Sequence, residues 1–90
     1  MYAEQAEQQP VALGDVFEQL TVSAEPIARR KGIELRWRPT QLAVQSDPLM
    51  LRRILQNLLA NATRYTDNGG VLLAARRRGP NISIEVRDTG

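Results

Sequence analysis

The stretch Asp47-Pro48-Leu49-Met50-Leu51-Arg52-Arg53-Ile54-Leu55-Gln56-Asn57-Leu58-Leu59-Ala60-Asn61-Ala62-Thr63-Arg64-Tyr65-Thr66 decides the fold. Asp47 followed by Pro48 reads as a helix N-cap and a first-turn proline. A proline there forfeits only an amide that has no intrahelical partner. Leu51, Ile54, Leu55, Leu58, Leu59 and Ala62 recur at helical spacing and predict a broad apolar stripe on a helix that runs to about Tyr65. On a wheel of about 100° per residue with Asn57 at the origin, Asn61 falls near about 40°, Arg64 near about −20° and Tyr65 near about 80°. The stripe is centred at about 120° on the same wheel. Asn57, Asn61 and Arg64 are therefore expected on a strip beside the core-facing stripe, where a cleft wall would stand.

That strip has a definite chemistry. Two asparagines one turn apart converge their amide oxygens on one point. Such donors suit a hard cation like Mg²⁺, which keeps most of its waters and is shared with phosphate. A neighbouring arginine suits the phosphate itself. The competing structural reading makes all three ordinary boundary residues. Asparagine is only a modest helix former, so two in one helix interior are mildly unfavourable without a use.

Working toward the N-terminus, Leu42-Ala43-Val44 is a short strand candidate. Ile33-Glu34-Leu35-Arg36-Trp37-Arg38 alternates strictly, which predicts a half-buried strand with Ile33, Leu35 and Trp37 on one face. Before it, Val16, Leu20, Ala24, Ile27 and Ala28 keep helical spacing. Asp15 with Glu18 three positions on predicts a capping box at the start of this helix. Pro26 falls inside it and removes a hydrogen bond or kinks it. Arg29, Arg30 and Lys31 suit the negative end of its dipole, and Gly32 suits a left-handed C-terminal position. Val11-Ala12-Leu13 reads as extended.

Toward the C-terminus, Thr66-Asp67-Asn68-Gly69-Gly70 is a turn. Val71 to about Arg77 and Ile82 to about Arg87 are strands, and Gly79-Pro80-Asn81 turns between them. Period-two alternation puts Asp88 on the same face as Ile82, Ile84 and Val86, so its carboxylate points toward the core side at the strand's end. A carboxylate so placed is costly unless something donates to it, and a ligand's amino group would serve. The bland alternative is a wet strand end with Asp88-Thr89-Gly90 forming a turn.

Composition narrows the chemistry. The ninety residues contain no cysteine and no histidine. Disulfides, thiolate metal sites and cysteine or histidine catalysis are therefore excluded within them. Hydrophobic residues make up 42% and charged residues 24%, the balance of an ordinary globular domain. The net charge of +2 owes much to Arg76-Arg77-Arg78 and Arg29-Arg30-Lys31, short runs more typical of a solvated face than of a nucleic-acid footprint. No stretch approaches the roughly 20 apolar residues of a membrane span.

Taken together, the helix from Asp47 to Thr66 resembles the N box of the sensor histidine kinase ATPase domain, of the superfamily that includes the gyrase and heat-shock chaperone ATPases. The family pattern is an Asp-Pro opening followed by Asn-Leu-Leu-x-Asn-Ala-x-Lys/Arg-Tyr/Phe-Thr. Asp88-Thr89-Gly90 resembles the start of the first glycine box, Asp-x-Gly-x-Gly, at the usual gap. Ala28-Arg29-Arg30-Lys31-Gly32-Ile33 resembles the helix end and strand start that precede the N box. The resemblance covers about residues 10–90.

The resemblance implies roles position by position. Asn61 matches the asparagine that helps bind Mg²⁺. Asn57 matches the polar residue one turn earlier that faces phosphate or the attacking group. Arg64 matches the basic phosphate contact and Tyr65 the aromatic against adenine. Asp88 matches the acceptor of the adenine amino group, and Gly90 the glycine that lets the ring approach. The implied fold is a two-layer α/β sandwich, an incomplete Bergerat-type ATPase, with two helices on a mixed, mainly antiparallel sheet.

The later glycine boxes and the lid would follow Gly90, and residues 1–9 would be the tail of a helical dimerisation domain. The parent implied is a cytoplasmic catalytic domain of an inner-membrane sensor kinase. It would use ATP and Mg²⁺ to phosphorylate a histidine of its own dimerisation domain and then a response regulator. The ninety residues alone are expected to be inactive, to bind nucleotide weakly or not at all, and to dimerise through an exposed edge at Ile82–Arg87. The alternative is a small basic module that uses Arg36, Arg38 and Arg76–Arg78 on nucleic acid or a protein. No aromatic stacking platform accompanies those arginines, so no nucleic-acid partner is expected.

Overall fold

The computed structural model describes residues 8–88. Its elements are β1 (Gln9–Ala12), α1 (Leu13–Lys31), β2 (Glu34–Trp37), β3 (Ala43–Ser46), α2 (Pro48–Tyr65), β4 (Gly70–Arg78) and β5 (Asn81–Asp88). This is the element order expected from the sequence. Residues 1–7, read as part of a preceding domain's tail, lie outside the described residues, as do Thr89 and Gly90. Gln9, placed in that tail, instead opens β1 and pairs with Ser46.

The strands form two hydrogen-bonded sheets among the described residues, where one was expected. One is the antiparallel pair β1–β3, and the other runs β2-β4-β5. Within the larger sheet β2 and β4 are parallel, with Leu35 opposite Val71 and Trp37 opposite Leu73. β4 and β5 are antiparallel, with Leu73 opposite Val86 and Val71 opposite Asp88. This register puts Ile33, Leu35, Val71, Leu73, Ile84 and Val86 on the face that both helices cover. The small ribbon closes one end of the core through Val11 and Val44. Phe17, Leu13, Leu59 and Leu73 are its largest fully buried apolar side chains.

α1 begins earlier than its capping signal. Ala12 occupies the N-cap without a side-chain hydrogen bond, and Asp15 lies inside the first turn, so the Asp15–Glu18 capping box does not form. The reason is burial. Leu13 is fully buried, and its amide donates to the Leu42 carbonyl at 3.1 Å, so tertiary packing fixes the helix start before Asp15 is reached. Pro26 sits within an unbroken helix, where it leaves the Val22 carbonyl without its usual helical donor; Val22 is 69% exposed, so water is at hand. Gly32 ends the helix in the left-handed region at φ 73°, and its amide donates to the Ala28 and Arg29 carbonyls.

α2 starts as the sequence predicts. The Asp47 carboxylate accepts from the amides of Leu49 at 3.0 Å and Met50 at 3.3 Å. Its buried face is rotated from the expected stripe. Leu55, Leu59 and Thr63 are buried, whereas Ile54 and Leu58 are 52% and 47% exposed. Thr63 tolerates burial because its hydroxyl donates to the Leu59 carbonyl at 2.8 Å.

β4 and β5 meet in a two-residue loop, Gly79-Pro80, with Arg78 opposite Asn81. Gly79 alone carries a positive φ there, the sign pattern of a type II′ hairpin turn.

Candidate functional site

The buried face of α2 sets where its polar residues point. Leu51, Leu55, Leu59, Ala62 and Thr63 average about 170° from Asn57 on the helix wheel. Asn57 and Arg64 therefore lie nearly opposite the core, and Asn61 lies some 130° from its centre. All three are exposed. The strip expected beside the core is an outward face instead.

That outward face is not purely polar. Met50, Ile54, Leu58 and Tyr65 are 57%, 52%, 47% and 73% exposed. On the wheel they span about 20° to 100°, with Asn61 among them and Asn57 and Arg64 at their border. Asn61 therefore lies within an uncovered apolar ridge, and Asn57 stands at its edge.

The C-terminal end of α2 carries the second part of the site. Tyr65, Thr66, Asp67, Asn68 and Asp88 line one open cavity of about 230 Å³. The sheet register explains the meeting. Asp88 stands opposite Val71, one residue into β4 after the loop that leaves α2. Asp88 is on the helix-side face as alternation predicts, but it is exposed at the strand end, so its carboxylate is not desolvated. Thr66 is buried to 3% exposure, and its amide donates to the Ala62 carbonyl, which fixes the root of the loop. Asn57 lines a separate depression with Asp47, Leu49, Met50, Arg53 and Ile54.

The structure thus unites Tyr65 with Asp88 and aligns Asn57, Asn61 and Arg64 on one helix face. Gly90 lies outside the described residues. Thr66, Asp67 and Asn68 were legible only as a turn. Their position directly after Tyr65 was the signal that they would share its cavity.

Among the described residues no cluster of histidine, cysteine, aspartate or glutamate could hold a metal ion. Asn61 offers one neutral oxygen donor. That fits a Mg²⁺ whose other ligands are water and phosphate, and it does not fit a cation held by the protein alone.

The basic run does not form one surface. Strand alternation sends Arg76 and Arg78 to the face away from the helices and Arg77 to the other. Arg78 lies 3.7 Å from Glu85, and Arg36 lies 2.7 Å from Glu34. The strand register sets Arg36, Arg38, Arg76, Arg78 and Arg87 on that outer face, where Glu34 and Glu85 offset part of their charge. No helix of the described residues is long and apolar enough to cross a membrane.

No family model matches the chain. The sensor histidine kinase RcsC of Escherichia coli strain K12 is 37% identical over 79 residues, which cover 84% of this chain and 8% of RcsC. The sensor protein GacS of Pseudomonas syringae pv. syringae is 35% identical over 89 residues, covering 90% of this chain and 10% of GacS. The chain therefore spans at most about a tenth of the length of these relatives. Among solved structures, full-length ShkA in complex with AMPPNP superposes with a TM-score of 0.80 at 35% identity, over 92% of this chain and 19% of ShkA. The catalytic domain of the histidine kinase ThkA gives a TM-score of 0.80 at 22% identity over 89% of this chain and 56% of that one, a likeness of fold.

Proposed function

We propose, from a chain that belongs to the catalytic domains of the sensor histidine kinases, that residues 10–90 form one wall of an ATP site. The observation that carries this reading is the cavity shared by Tyr65 and Asp88 at the end of α2. In it the Asp88 carboxylate accepts from the adenine amino group while the Tyr65 ring lies against the base. Gly90 gives the ring room to approach. Arg64 faces the phosphates from the same helix. Asn61 would lend a side-chain oxygen to Mg²⁺, and Asn57 would face the phosphates or the attacking group. Mg²⁺, when bound, would supply charge neutralisation. The chain's own contribution is positioning and electrostatic stabilisation.

The intact protein, in this reading, passes the γ-phosphoryl of ATP to a histidine of its dimerisation domain and then to a response regulator. The residues that precede β1 are the end of that dimerisation domain, and the catalytic domain is cytoplasmic in an inner-membrane sensor kinase. The ninety residues hold no histidine, so a phosphoacceptor cannot be among them. Alone they show no kinase activity, bind nucleotide more weakly than micromolar, and associate through β5.

Titration with AMPPNP and Mg²⁺, followed by amide chemical shifts, tests the site. Shifts confined to Tyr65–Asn68, Asp88 and the Asn57–Arg64 face are expected, and Asp88→Asn should abolish those at the cavity. Shifts that avoid this cavity would overturn the assignment. Micromolar affinity by calorimetry would overturn the claim that one wall is insufficient.

A further inference from the structure

The cavity's loop is held from outside the site. Lys31, the last residue of α1, reaches across to the end of α2. Its ammonium donates to the Thr63 carbonyl at 2.8 Å and to the Arg64 carbonyl at 2.6 Å. These belong to the last turn of α2, where carbonyls lack intrahelical donors. A cation there also opposes the negative end of the helix dipole. The Asp67 carboxylate lies 3.8 Å from the same ammonium. Three residues on, the Glu34 amide donates to the Gly69 carbonyl at 3.0 Å. The α1–β2 junction therefore grips the α2–β4 loop at both ends.

We propose that Lys31 is a positioning residue for this site: it clamps the end of α2 and so sets the Tyr65–Asn68 wall against Asp88. That the wall serves a nucleotide rests on the function proposed above. The clamp itself does not. A lysine suits the task because its ammonium is a compact donor with three protons for acceptors converging on one point. The Asp67 contact is secondary, since that carboxylate side chain is 87% exposed and an exposed pair contributes little.

Amide hydrogen exchange and chemical shifts on the whole chain test this. Lys31→Met should speed exchange at Thr66 by at least about tenfold, the scale of one lost hydrogen bond to a charged group. The shifts of Tyr65–Asn68 and Asp88 should move, while core amides at Leu59 and Leu73 keep their protection. Lys31→Arg should restore most of the lost protection, and Asp67→Asn should change it little. Unchanged exchange at Thr66 in Lys31→Met overturns the clamp. So does a uniform rise that includes Leu59 and Leu73, which marks a merely structural residue.

A second arm adds AMPPNP with Mg²⁺ at millimolar concentration to the wild type and to Lys31→Met. Weaker cavity shifts in the variant are expected. Equal responses, with the loop shown to be loosened, overturn the link to ligand. No response in the wild type overturns residual nucleotide binding by these residues and with it the link to ligand, while the exchange data still decide the clamp.

Discussion

At Gly70 the first residue of β4 comes against the start of β2. An ideal Cβ there would lie 2.6 Å from the Glu34 carbonyl oxygen, a backbone atom that cannot swing aside. Gly70→Ala should therefore destabilise the fold by about 1–3 kcal/mol, as overpacking does. Gly32 presents the opposite case. A Cβ would meet nothing within 4 Å, but φ is +73°. Gly32→Ala should cost about 1–2 kcal/mol from left-handed strain alone, and Gly32→Asn less. Urea unfolding of the three variants checks both. The sharper readout is the Glu34 amide, whose bond to Gly69 should weaken in Gly70→Ala and persist in Gly32→Ala. Persistence in both would contradict the close-approach account.

At the scale of the element, α2 makes two neighbouring leucines unequal. Leu59 is 2% exposed and Leu58 is 47% exposed. Leu59→Ala should cost about 2–5 kcal/mol, with Leu58→Ala under about 1 kcal/mol. Comparable losses in denaturant melts would mean that the helix faces the core as its hydropathy suggests. That pattern correctly gave the helix, its Asp47 cap and its end at Tyr65. It mistook the facing because Ile54 and Leu58 weigh as core residues and Thr63 as polar. The Thr63 hydroxyl is satisfied within the helix, so the polar residue goes inside. Apolar Leu58 stays on the outer ridge. The Asp15 capping signal failed for a related reason: Leu13, two residues before it, is needed in the core.

For the whole molecule, sheet closure matters most. β5 is hydrogen-bonded to β4 on one side, and among the described residues no strand covers its other edge. Glu85 forms ion pairs with Arg78 and Arg87, which leaves that edge charged but not blocked by proline. Association through β5 predicts a dimer in sedimentation velocity, dissociated by a proline in the outer edge of β5. A monomer at high concentration would sink the prediction. The site was partly legible at this scale. Alternation placed Asp88 on the helix side, and helical spacing grouped Asn57, Asn61 and Arg64. The meeting of Tyr65 with Asp88 depends on the pairing of β5 with β4. The grip of Lys31 on α2 depends on packing between helices distant in sequence. Neither interval carries a local signal.

The split between the two sheets also orders the way the chain assembles. β4 and β5 are joined by a two-residue loop, so their hairpin closes locally, on a scale of microseconds. The pairings β1–β3 and β2–β4 each close across a whole intervening helix, α1 in one case and α2 in the other. Each must meet the entropy of a long loop before any contact rewards it. α2 stands between β3 and β4, so its docking brings the last strand of one sheet and the central strand of the other into place together. Refolding speed should thus follow the strength of the α2 cap at Asp47 more closely than any property of the hairpin.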